Sequence, residues 1–329
     1  KDVVWINRIK LRASTGYTGS QGFSTYAAVP TVNYYQSGYR GQLGSYLLGL
    51  ANPDLAWQKK YDNNLGIDVT FLDGSLNGRF DWYVSTTKGT ITNVTTPPST
   101  GFASYTANLG EVENKGWEAY LNWRVWNEKA SMSYVTLYVS ASGNENTLKK
   151  VSNSLKSMND VTDKDYDEKS ENTSVPVRYE EGASMSTIWV VKSLGIDPET
   201  GKEVFRKKDG SLTYDWDSRD YVDGGDTRPK VSGNFGINAE WHGIGLNAGF
   251  TWRLGGQIYN TTLLNKVENA DVHKNVDRRV FTDRWNTPGQ VARFKAISDD
   301  SSTQPTSRFV EDYNLLTFSS LNVYYDFRE

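Results

Sequence analysis

The stretch GNFGINAEWHGIGLNAGFTWRLGG, residues 233–256, alternates between apolar and polar or glycine positions on both sides of a short break at His242-Gly243. The apolar positions are Phe235, Ile237, Ala239 and Trp241 before the break and Leu246, Ala248, Phe250 and Trp252 after it. A period of two is the pattern of a β-strand whose two faces meet different surroundings. The stretch therefore predicts two antiparallel strands joined by a tight hairpin turn.

The same alternation recurs along the rest of the chain. It is found in residues 9–17, 60–72, 76–85, 117–125, 134–139 and 320–327. A strand that crosses a bilayer needs only about 9 to 11 residues with alternate apolar positions. We therefore count about eight strands of membrane-spanning length.

The connections between these strands differ in length in a regular way. Short turns at 73–75, 127–129 and 242–243 alternate with long polar segments at 18–53, 93–108, 146–228 and 257–306. Short turns at one end and long loops at the other are typical of outer-membrane barrels. Alternation alone also fits a soluble antiparallel β-sandwich, such as a carbohydrate-binding or adhesin module, whose apolar faces stack on each other.

Composition and charge exclude several classes of function. The net charge of −3 gives no basic surface for nucleic acid. The 329 residues include no Cys and only two His, so thiolate metal sites and zinc catalysis are not expected. No window holds the roughly 18 apolar residues that a spanning helix requires.

Several segments resemble a known family, in the same order and across nearly all of the chain. They are NPDLAWQKKYDNNLGIDVTFLDGSLNGRFDWYVSTTKGTI (52–91), PPSTGFASYTANLGEVENKGWEAYL (97–121), YEEGASMSTIWVVKSLGIDPETGKEVF (179–205), GGQIYN (255–260) and SRFVEDYNLLTFSSLNVYYDF (307–327). Together they resemble the SusC/RagA family of TonB-dependent outer-membrane transporters of Bacteroidetes.

The resemblance implies an all-β fold, an antiparallel up-and-down transmembrane β-barrel of the 22-stranded, plugged type. Residues 1–329 would form one partial barrel domain, about strands 13 to 20, with the plug domain and the final strands outside this sequence. It implies a multi-pass protein of the outer membrane, energised by the TonB complex and working with a SusD-like surface lipoprotein. The cargo in that family is an oligosaccharide or a peptide, and no enzymatic activity is expected.

In such a barrel the two faces of each strand have different surroundings. The polar positions predicted to line the lumen are Lys60, Asp62, Asp68, Arg79, Asp81 and Arg124. The apolar positions predicted to face outer-membrane lipid are Ile67, Val69, Phe80, Trp82, Phe235, Ile237, Phe250 and Trp252.

Aromatic residues of the long segments are candidates for cargo binding, because aromatic faces stack on the apolar surfaces of sugars. The candidates are Tyr34, Tyr35, Tyr39, Tyr46 and Trp189. The same side chains could instead pack the loops together or contact the lipoprotein.

Acidic residues supply the remaining candidates. Asp209, Asp215 and Asp217 lie where members of the family often carry a calcium-like loop, but their spacing is loose, and a hairpin tip is the alternative. No other cofactor is expected.

Glycoside hydrolysis would need two carboxylates roughly 5 to 9.5 Å apart in a cleft. The pairs of acids that could be proposed are Glu111 with Glu113 and Glu180 with Glu181. Acidic residues are common on loop surfaces and lumen walls, so we expect no catalytic site.

Overall fold

The computed structural model describes residues 5–24, 26–35, 39–96, 98–108, 110–169, 171–271 and 273–327. The strands, in chain order, are β1 (Ile6–Ser20), β2 (Val32–Tyr35), β3 (Gly44–Leu47), β4 (Gln58–Phe71), β5 (Leu76–Lys88), β6 (Ile91–Thr95), β7 (Ser104–Asn108), β8 (Gly110–Glu128), β9 (Ser133–Val151), β10 (Thr187–Ile196), β11 (Glu203–Arg206), β12 (Leu212–Thr213), β13 (Tyr221–Asp226), β14 (Val231–Trp241), β15 (Ile244–Tyr259), β16 (Arg284–Trp285), β17 (Phe294–Ala296) and β18 (Val310–Tyr325). The helices are α1 (Asn153–Glu168), α2 (Thr261–Leu263) and α3 (Arg279–Thr282), with a π-helical turn at Leu264–Glu268 and 3₁₀ turns at Tyr39–Gly41, Pro98–Thr100, Ser218–Asp220 and Ser307–Phe309.

Eight long strands form a single antiparallel sheet, which we call the wall. Its order is β1-β4-β5-β8-β9-β14-β15-β18, so each strand lies beside the wall strands that precede and follow it in the chain. This is the up-and-down arrangement predicted from the connections. The all-β fold class and the count of eight strands are confirmed.

The short connections of the wall are built by residues with positive φ. His242 (φ 47°) and Gly243 (φ 87°) join β14 to β15, and positive φ at both central residues is the signature of a type I′ hairpin turn. Between β8 and β9 the turn lies slightly later than the sequence predicts. Strand β8 continues to Glu128, which pairs with Ser133, and Met132 in the turn has φ 50°.

The long connections at the opposite end of the wall are themselves folded. We call residues 152–230 and 260–309 the cap. A second sheet in the cap has the order β12-β11-β10-β13, so the region 183–207 adds no strand to the wall. A core that includes Val190, Leu264 and Phe309 joins the two cap segments.

Helix α1 was not predicted from the sequence. It begins after Ser152, whose side chain accepts a hydrogen bond from the N–H of Leu155, a standard N-cap. Leu155 and Met158 pack on Val94 of β6 and Ala107 of β7, so α1 rests on the β6–β7 hairpin. No helix in the described part of the chain is long and apolar enough to cross a membrane.

The apolar face of the wall is open, which excludes the soluble sandwich. Phe80, Trp82 and Phe235 are 43%, 44% and 38% exposed. A sandwich would cover these side chains with a second sheet. The smaller sheets are formed by the segments that connect the wall strands, and the apolar face stays exposed along the wall.

Candidate passage wall and mouth

The pairing register separates the two predicted sets of side chains cleanly. Residues directly opposite each other in antiparallel strands share a face. Ile67 lies opposite Phe80, and Asp68 lies opposite Arg79, so the apolar and polar sets alternate across β4 and β5. The six residues predicted to line the lumen lie on one face of the wall, and they are Lys60, Asp62, Asp68, Arg79, Asp81 and Arg124. The eight predicted to face lipid lie on the other, and they are Ile67, Val69, Phe80, Trp82, Phe235, Ile237, Phe250 and Trp252.

An ion network occupies the polar face at β1, β4 and β5. Arg12 Nε lies 2.9 Å from Asp68 Oδ2, and Arg12 Nη1 lies 2.8 Å from Asp81 Oδ1. Arg79 Nε lies 2.6 Å from the other oxygen of Asp81. Asp81 is only 4% exposed, so its charge is held between two guanidinium groups rather than by water. Arg12 was not among the residues predicted for this face, although its position in the alternation of β1 could have identified it.

A glycine makes this network sterically feasible. Gly66 of β4 lies between Arg12 and Asp81 in the register of the three strands. A Cβ atom at this position would lie 2.5 Å from Asp81 Oδ1 and 2.6 Å from Arg12 Nη2. The absence of a side chain therefore lets the guanidinium cross over β4.

Tyrosines lie over other glycines of the same face. Tyr324 of β18 covers Gly245 of β15, where an added Cβ would be 2.0 Å from the ring. The Tyr324 hydroxyl donates to Glu240 Oε2 at 3.3 Å. Tyr83 covers Gly116 in the same way, and its hydroxyl donates to Asn144 at 3.1 Å. The two rings fill the space over these glycines, and their hydroxyls are held by Glu240 and Asn144.

Two predicted polar residues lie away from the ion network. Lys60 pairs with Asp62 at 2.9 Å near the cap end of β4, and both side chains are well exposed. Arg124 lies near the turn end of β8, with its guanidinium 5.9 Å from the centre of the Tyr134 ring. Charge therefore extends along the height of this face.

The apolar face carries two groups of rings, one on β14, β15 and β18 and the other on β5 and β8. Phe235 and Phe250 stack with their centroids 5.0 Å apart, and Phe250 lies 5.1 Å from Phe318 on β18. Phe80 stacks on Trp117 at 6.4 Å. Exposed aromatic and branched side chains on one face fit contact with acyl chains.

Three of the predicted cargo-binding tyrosines share the small β2–β3 hairpin. Tyr34, Tyr35 and Tyr46 are 63%, 45% and 51% exposed. The Tyr35 and Tyr46 rings are 6.1 Å apart, and the Tyr46 hydroxyl accepts a hydrogen bond from Asn33 Nδ2 at 3.2 Å. The side chain of Tyr39 falls outside the described residues. The hairpin thus presents open aromatic faces beside polar groups.

The position of Trp189 contradicts its prediction as a cargo contact. It is 4% exposed and packs in the cap with Val191, Phe205 and Tyr221. Its Nε1–H donates to the carbonyl oxygen of Arg178 at 2.9 Å. Trp189 is a core residue because it lies on the side of β10 that packs against this cluster. The sequence did not predict β10, so it placed Trp189 in a loop.

Two of the three aspartates predicted for a calcium-like loop are engaged by neighbouring side chains or backbone groups. Asp209 accepts hydrogen bonds from Ser211, and Asp217 pairs with Arg219. These two aspartates and Asp215 are not gathered into a cage of oxygen ligands, since no cluster of three or more His, Asp or Glu suited to a metal occurs in the described ranges.

The glutamate pairs proposed for hydrolysis are held by basic or backbone groups. Glu113 is bound by Lys115 and Lys149, each at 2.9 Å, and Glu180 is bound by Arg178 at 2.8 Å. Glu181 accepts from the N–H of Val151, and Lys88 lies 4.0 Å from Glu111. These contacts give each of the four glutamates a structural role in a loop or strand.

A buried ion triad in the cap was missed by the sequence analysis. Arg308 Nη2 lies 2.6 Å from Glu203 Oε2 and 2.6 Å from Glu268 Oε1. The three side chains are 10%, 8% and 0% exposed. Burial alone would lower the pKa of Arg308, but the charges and hydrogen bonds of Glu203 and Glu268 outweigh it and raise that pKa. The triad ties β11, the π-helical turn and the 3₁₀ turn before β18 together.

Comparisons with known proteins agree with this architecture. Residues 2–327 match the family described as TonB dependent receptor-like, beta-barrel. The chain is 26% identical to TonB-dependent receptor P3 of Formosa agariphila over 347 aligned residues, which cover 100% of this chain and 33% of that protein. It is 32% identical to TonB-dependent receptor SusC of Bacteroides thetaiotaomicron over 136 residues, 37% of this chain and 13% of that protein.

A solved structure of the RagAB peptide transporter has the same fold. The TM-score is 0.80 at 20% sequence identity, covering 99% of this chain and 35% of that one. The chain thus spans about a third of the length of the full-length relatives it matches. The chain belongs to the TonB dependent receptor-like, beta-barrel family, whose SusC and RagA type members are transporters of the outer membrane rather than enzymes.

Proposed function

We propose that this chain forms part of the barrel of a TonB-dependent importer, which takes up an oligosaccharide together with a SusD-like surface lipoprotein. The polar face of the wall borders the passage, and the apolar face contacts outer-membrane lipid. The cap and the β2–β3 hairpin lie at the mouth of the passage and meet the cargo first.

The segregation of side chains across the wall carries this proposal. Asp81, 4% exposed, lies in the chain between Phe80 and Trp82, which are 43% and 44% exposed. Neighbouring residues in one strand therefore have opposite surroundings. An importer needs this arrangement, because its wall separates lipid from a water-filled passage.

The folded cap supports a role in uptake rather than in a static pore. Its two segments share one apolar core and the Arg308 triad. They therefore form a folded unit at the long-loop end of the wall. Proteins similar to this chain are named as SusC and as part of a peptide transporter, which makes a lipoprotein partner and a polymeric cargo reasonable to propose.

Uptake in the parent bacterium tests this function. A strain that lacks the gene is compared with the same strain complemented by the intact transporter, each given labelled oligosaccharides and labelled peptides. We expect complementation to restore oligosaccharide uptake and expect disruption of TonB to abolish it. Restored uptake without TonB would contradict the energised mechanism, and uptake of peptides alone would contradict the assignment of cargo.

Affinity purification of the intact transporter tests the partner. A tag on the transporter should retain a surface lipoprotein from detergent-solubilised outer membranes. As a control, the same tag on an unrelated outer-membrane barrel should retain none. Purification of the transporter alone from membranes solubilised under mild conditions would contradict the proposed lid.

A further inference from the structure

The part of the cap sheet formed by the end of β10 with β11 and β12 has one face in the cap core and one face in solvent. On the core side, Phe205 of β11 packs with Trp189. On the other side, Lys192 of β10 lies directly opposite Arg206 of β11, and Arg206 lies directly opposite Leu212 of β12. Residues directly opposite each other share a face, so two cations and a leucine form a row across three strands. We call this side of the three strands the cap face.

An apolar groove of about 440 Å³ lies on the cap face. Most of its lining side chains are apolar, and they are Leu194, Ile196, Pro198, Val204, Leu212 and Tyr214. Leu194, Leu212 and Tyr214 are each more than half exposed. The lining also includes Asp197, whose Oδ2 accepts hydrogen bonds from the hydroxyls of Thr200 and Tyr214 at 2.7 and 2.8 Å. The groove therefore offers aliphatic surface rather than free hydrogen-bonding groups.

Lys192 and Arg206 bring two like charges together on the cap face. Both side chains are exposed, and neither forms an ion pair with another side chain in the described ranges. Like charges directly opposite each other destabilise a sheet. Proteins break such a local rule mainly at functional sites, where a binding partner supplies the missing contact. An anionic partner would remove the repulsion between the two cations.

A protein segment fits this surface better than a sugar does. The aliphatic lining of the groove supplies few partners for the hydroxyl groups of a sugar. An apolar pocket with arginine and tyrosine beside it is instead typical of the centre of a protein interface. The cap also lies at the long-loop end of the wall, which is the end where the surface lipoprotein is proposed to sit.

We propose that the cap face binds the surface lipoprotein through an acidic segment that carries an apolar anchor. The anchor fills the groove against Leu194 and Leu212, and the flanking carboxylates pair with Lys192 and Arg206. This inference rests on the lipoprotein partner of the proposed function. It adds which surface of the transporter holds that partner and which chemistry the partner presents.

Titration of the purified lipoprotein onto the intact transporter tests this contact. The lipoprotein is identified by mass spectrometry in the complex with the wild-type transporter and is then prepared without its lipid anchor. We expect Lys192→Glu/Arg206→Glu to weaken its binding to the detergent-solubilised transporter about tenfold, because repulsion replaces attraction. Lys156→Glu/Lys164→Glu makes the same change of charge at exposed positions of α1 and should leave the affinity unchanged.

The apolar part of the contact has its own variant and readout. Leu194→Ser/Leu212→Ser should also weaken binding about tenfold, but rising salt should weaken this variant and the wild type in parallel. Leu212→Cys, with any cysteine elsewhere replaced, should react quickly with a water-soluble maleimide and slowly once the lipoprotein is added. Heat-modified mobility on gels verifies that the barrel of each variant is folded.

Four results would overturn the proposal. The first is wild-type affinity in the Lys192 and Arg206 variant, and the second is an equal loss in the α1 control. The third is slow labelling of Leu212→Cys without the lipoprotein, because another part of the transporter would then cover the cap face. The fourth is unchanged lipoprotein affinity with loss of binding to an anionic oligosaccharide such as polygalacturonate, which would make the cap face a cargo contact.

These failures differ from a failure of the proposed function. If the wild-type transporter binds the lipoprotein and the cap-face variants bind it equally well, only the docking surface is wrong. If the wild-type transporter binds no lipoprotein, the proposed partner is wrong and the docking surface with it.

Discussion

Arg12 on β1 binds Asp81 on β5 across the intervening strand β4, with 2.8 Å between Nη1 and Oδ1. The contact fixes the register of three strands at once, because a slip of one residue would move either partner to the opposite face. It also keeps a nearly buried carboxylate neutralised on the polar face.

The glycine beneath this contact gives the first prediction. Gly66→Ala places a methyl group within 3 Å of both charged side chains and should force them apart. We expect a loss of about 1 to 3 kcal/mol of barrel stability, the typical cost of breaking a charged hydrogen bond in a shielded place. Unfolding of the intact barrel in urea measures it. Gly16→Ala on β1 is the matched control, because nothing lies within 4 Å of an added Cβ there. An equal loss of stability in both variants would contradict the claim that Gly66 makes room for the contact between Arg12 and Asp81.

The second prediction concerns the two faces of β14. Phe235→Arg should destabilise the barrel by about 2 to 4 kcal/mol, because the charge would enter lipid near the middle of the strand. Asn234→Arg, one residue earlier on the polar face, should cost far less. Refolding into lipid vesicles at a range of urea concentrations measures both. Similar costs for the two variants would show that β14 does not separate lipid from water.

The third prediction concerns the Arg308 triad. Arg308→Met leaves the carboxylates of Glu203 and Glu268 buried without a cation, which typically costs about 3 to 5 kcal/mol. We expect the cap to open locally, with faster hydrogen exchange in β10 and in the π-helical turn and little change in the wall. Hydrogen–deuterium exchange of the intact protein measures this difference.

A matched control and a rescue make the triad prediction specific. Arg279→Met removes an arginine from an exposed pair with Asp277 in the same cap segment and should leave exchange unchanged. The triple variant Arg308→Met/Glu203→Leu/Glu268→Leu replaces the ions with apolar groups and should restore much of the protection. Unaltered hydrogen exchange in Arg308→Met would contradict the claim that the triad stabilises the cap.

The fourth prediction concerns the tyrosines of the β2–β3 hairpin. Tyr34→Ala/Tyr46→Ala removes two exposed rings and should weaken cargo binding about tenfold, if each ring contributes about 0.7 kcal/mol of stacking. Calorimetry of the intact transporter with its oligosaccharide measures the change. Tyr26→Ala, at an exposed ring in the same connection but outside the hairpin, is the control. If only Tyr26→Ala lowered the affinity, the result would contradict cargo binding by the β2–β3 hairpin and would place the cargo contact near Tyr26.

The wall was predictable because its information is local. The alternation around Phe235 and Phe250 predicts two strands, their faces and their turn, and the structure pairs these two residues directly. Glycine at position 243 allows the positive φ of the hairpin turn. Hydrophobic alternation and turn chemistry involve residues that are close together in the chain, so both can be recognised in the sequence.

The cap was not predictable because its contacts join distant segments. Glu203, Glu268 and Arg308 come together from three regions separated by tens of residues, with no spacing that signals a triad. Trp189 reads as an ordinary loop aromatic until β10 and β13 place it in a core. Polar loop sequences that fold against one another carry little periodicity, and for that reason α1 and the second sheet also went unrecognised.

The most direct test of the account is the accessibility of successive residues of β14 in a membrane. The chain has no Cys, so single cysteines can be introduced at positions 234, 235, 237 and 238 and spin-labelled in the intact protein after any cysteine elsewhere is replaced. In lipid vesicles we predict that labels at 235 and 237 collide with dissolved oxygen, whereas labels at 234 and 238 collide with a water-soluble nickel complex. Loss of this period of two, or its inversion, would contradict the claim that the wall separates lipid from a polar passage.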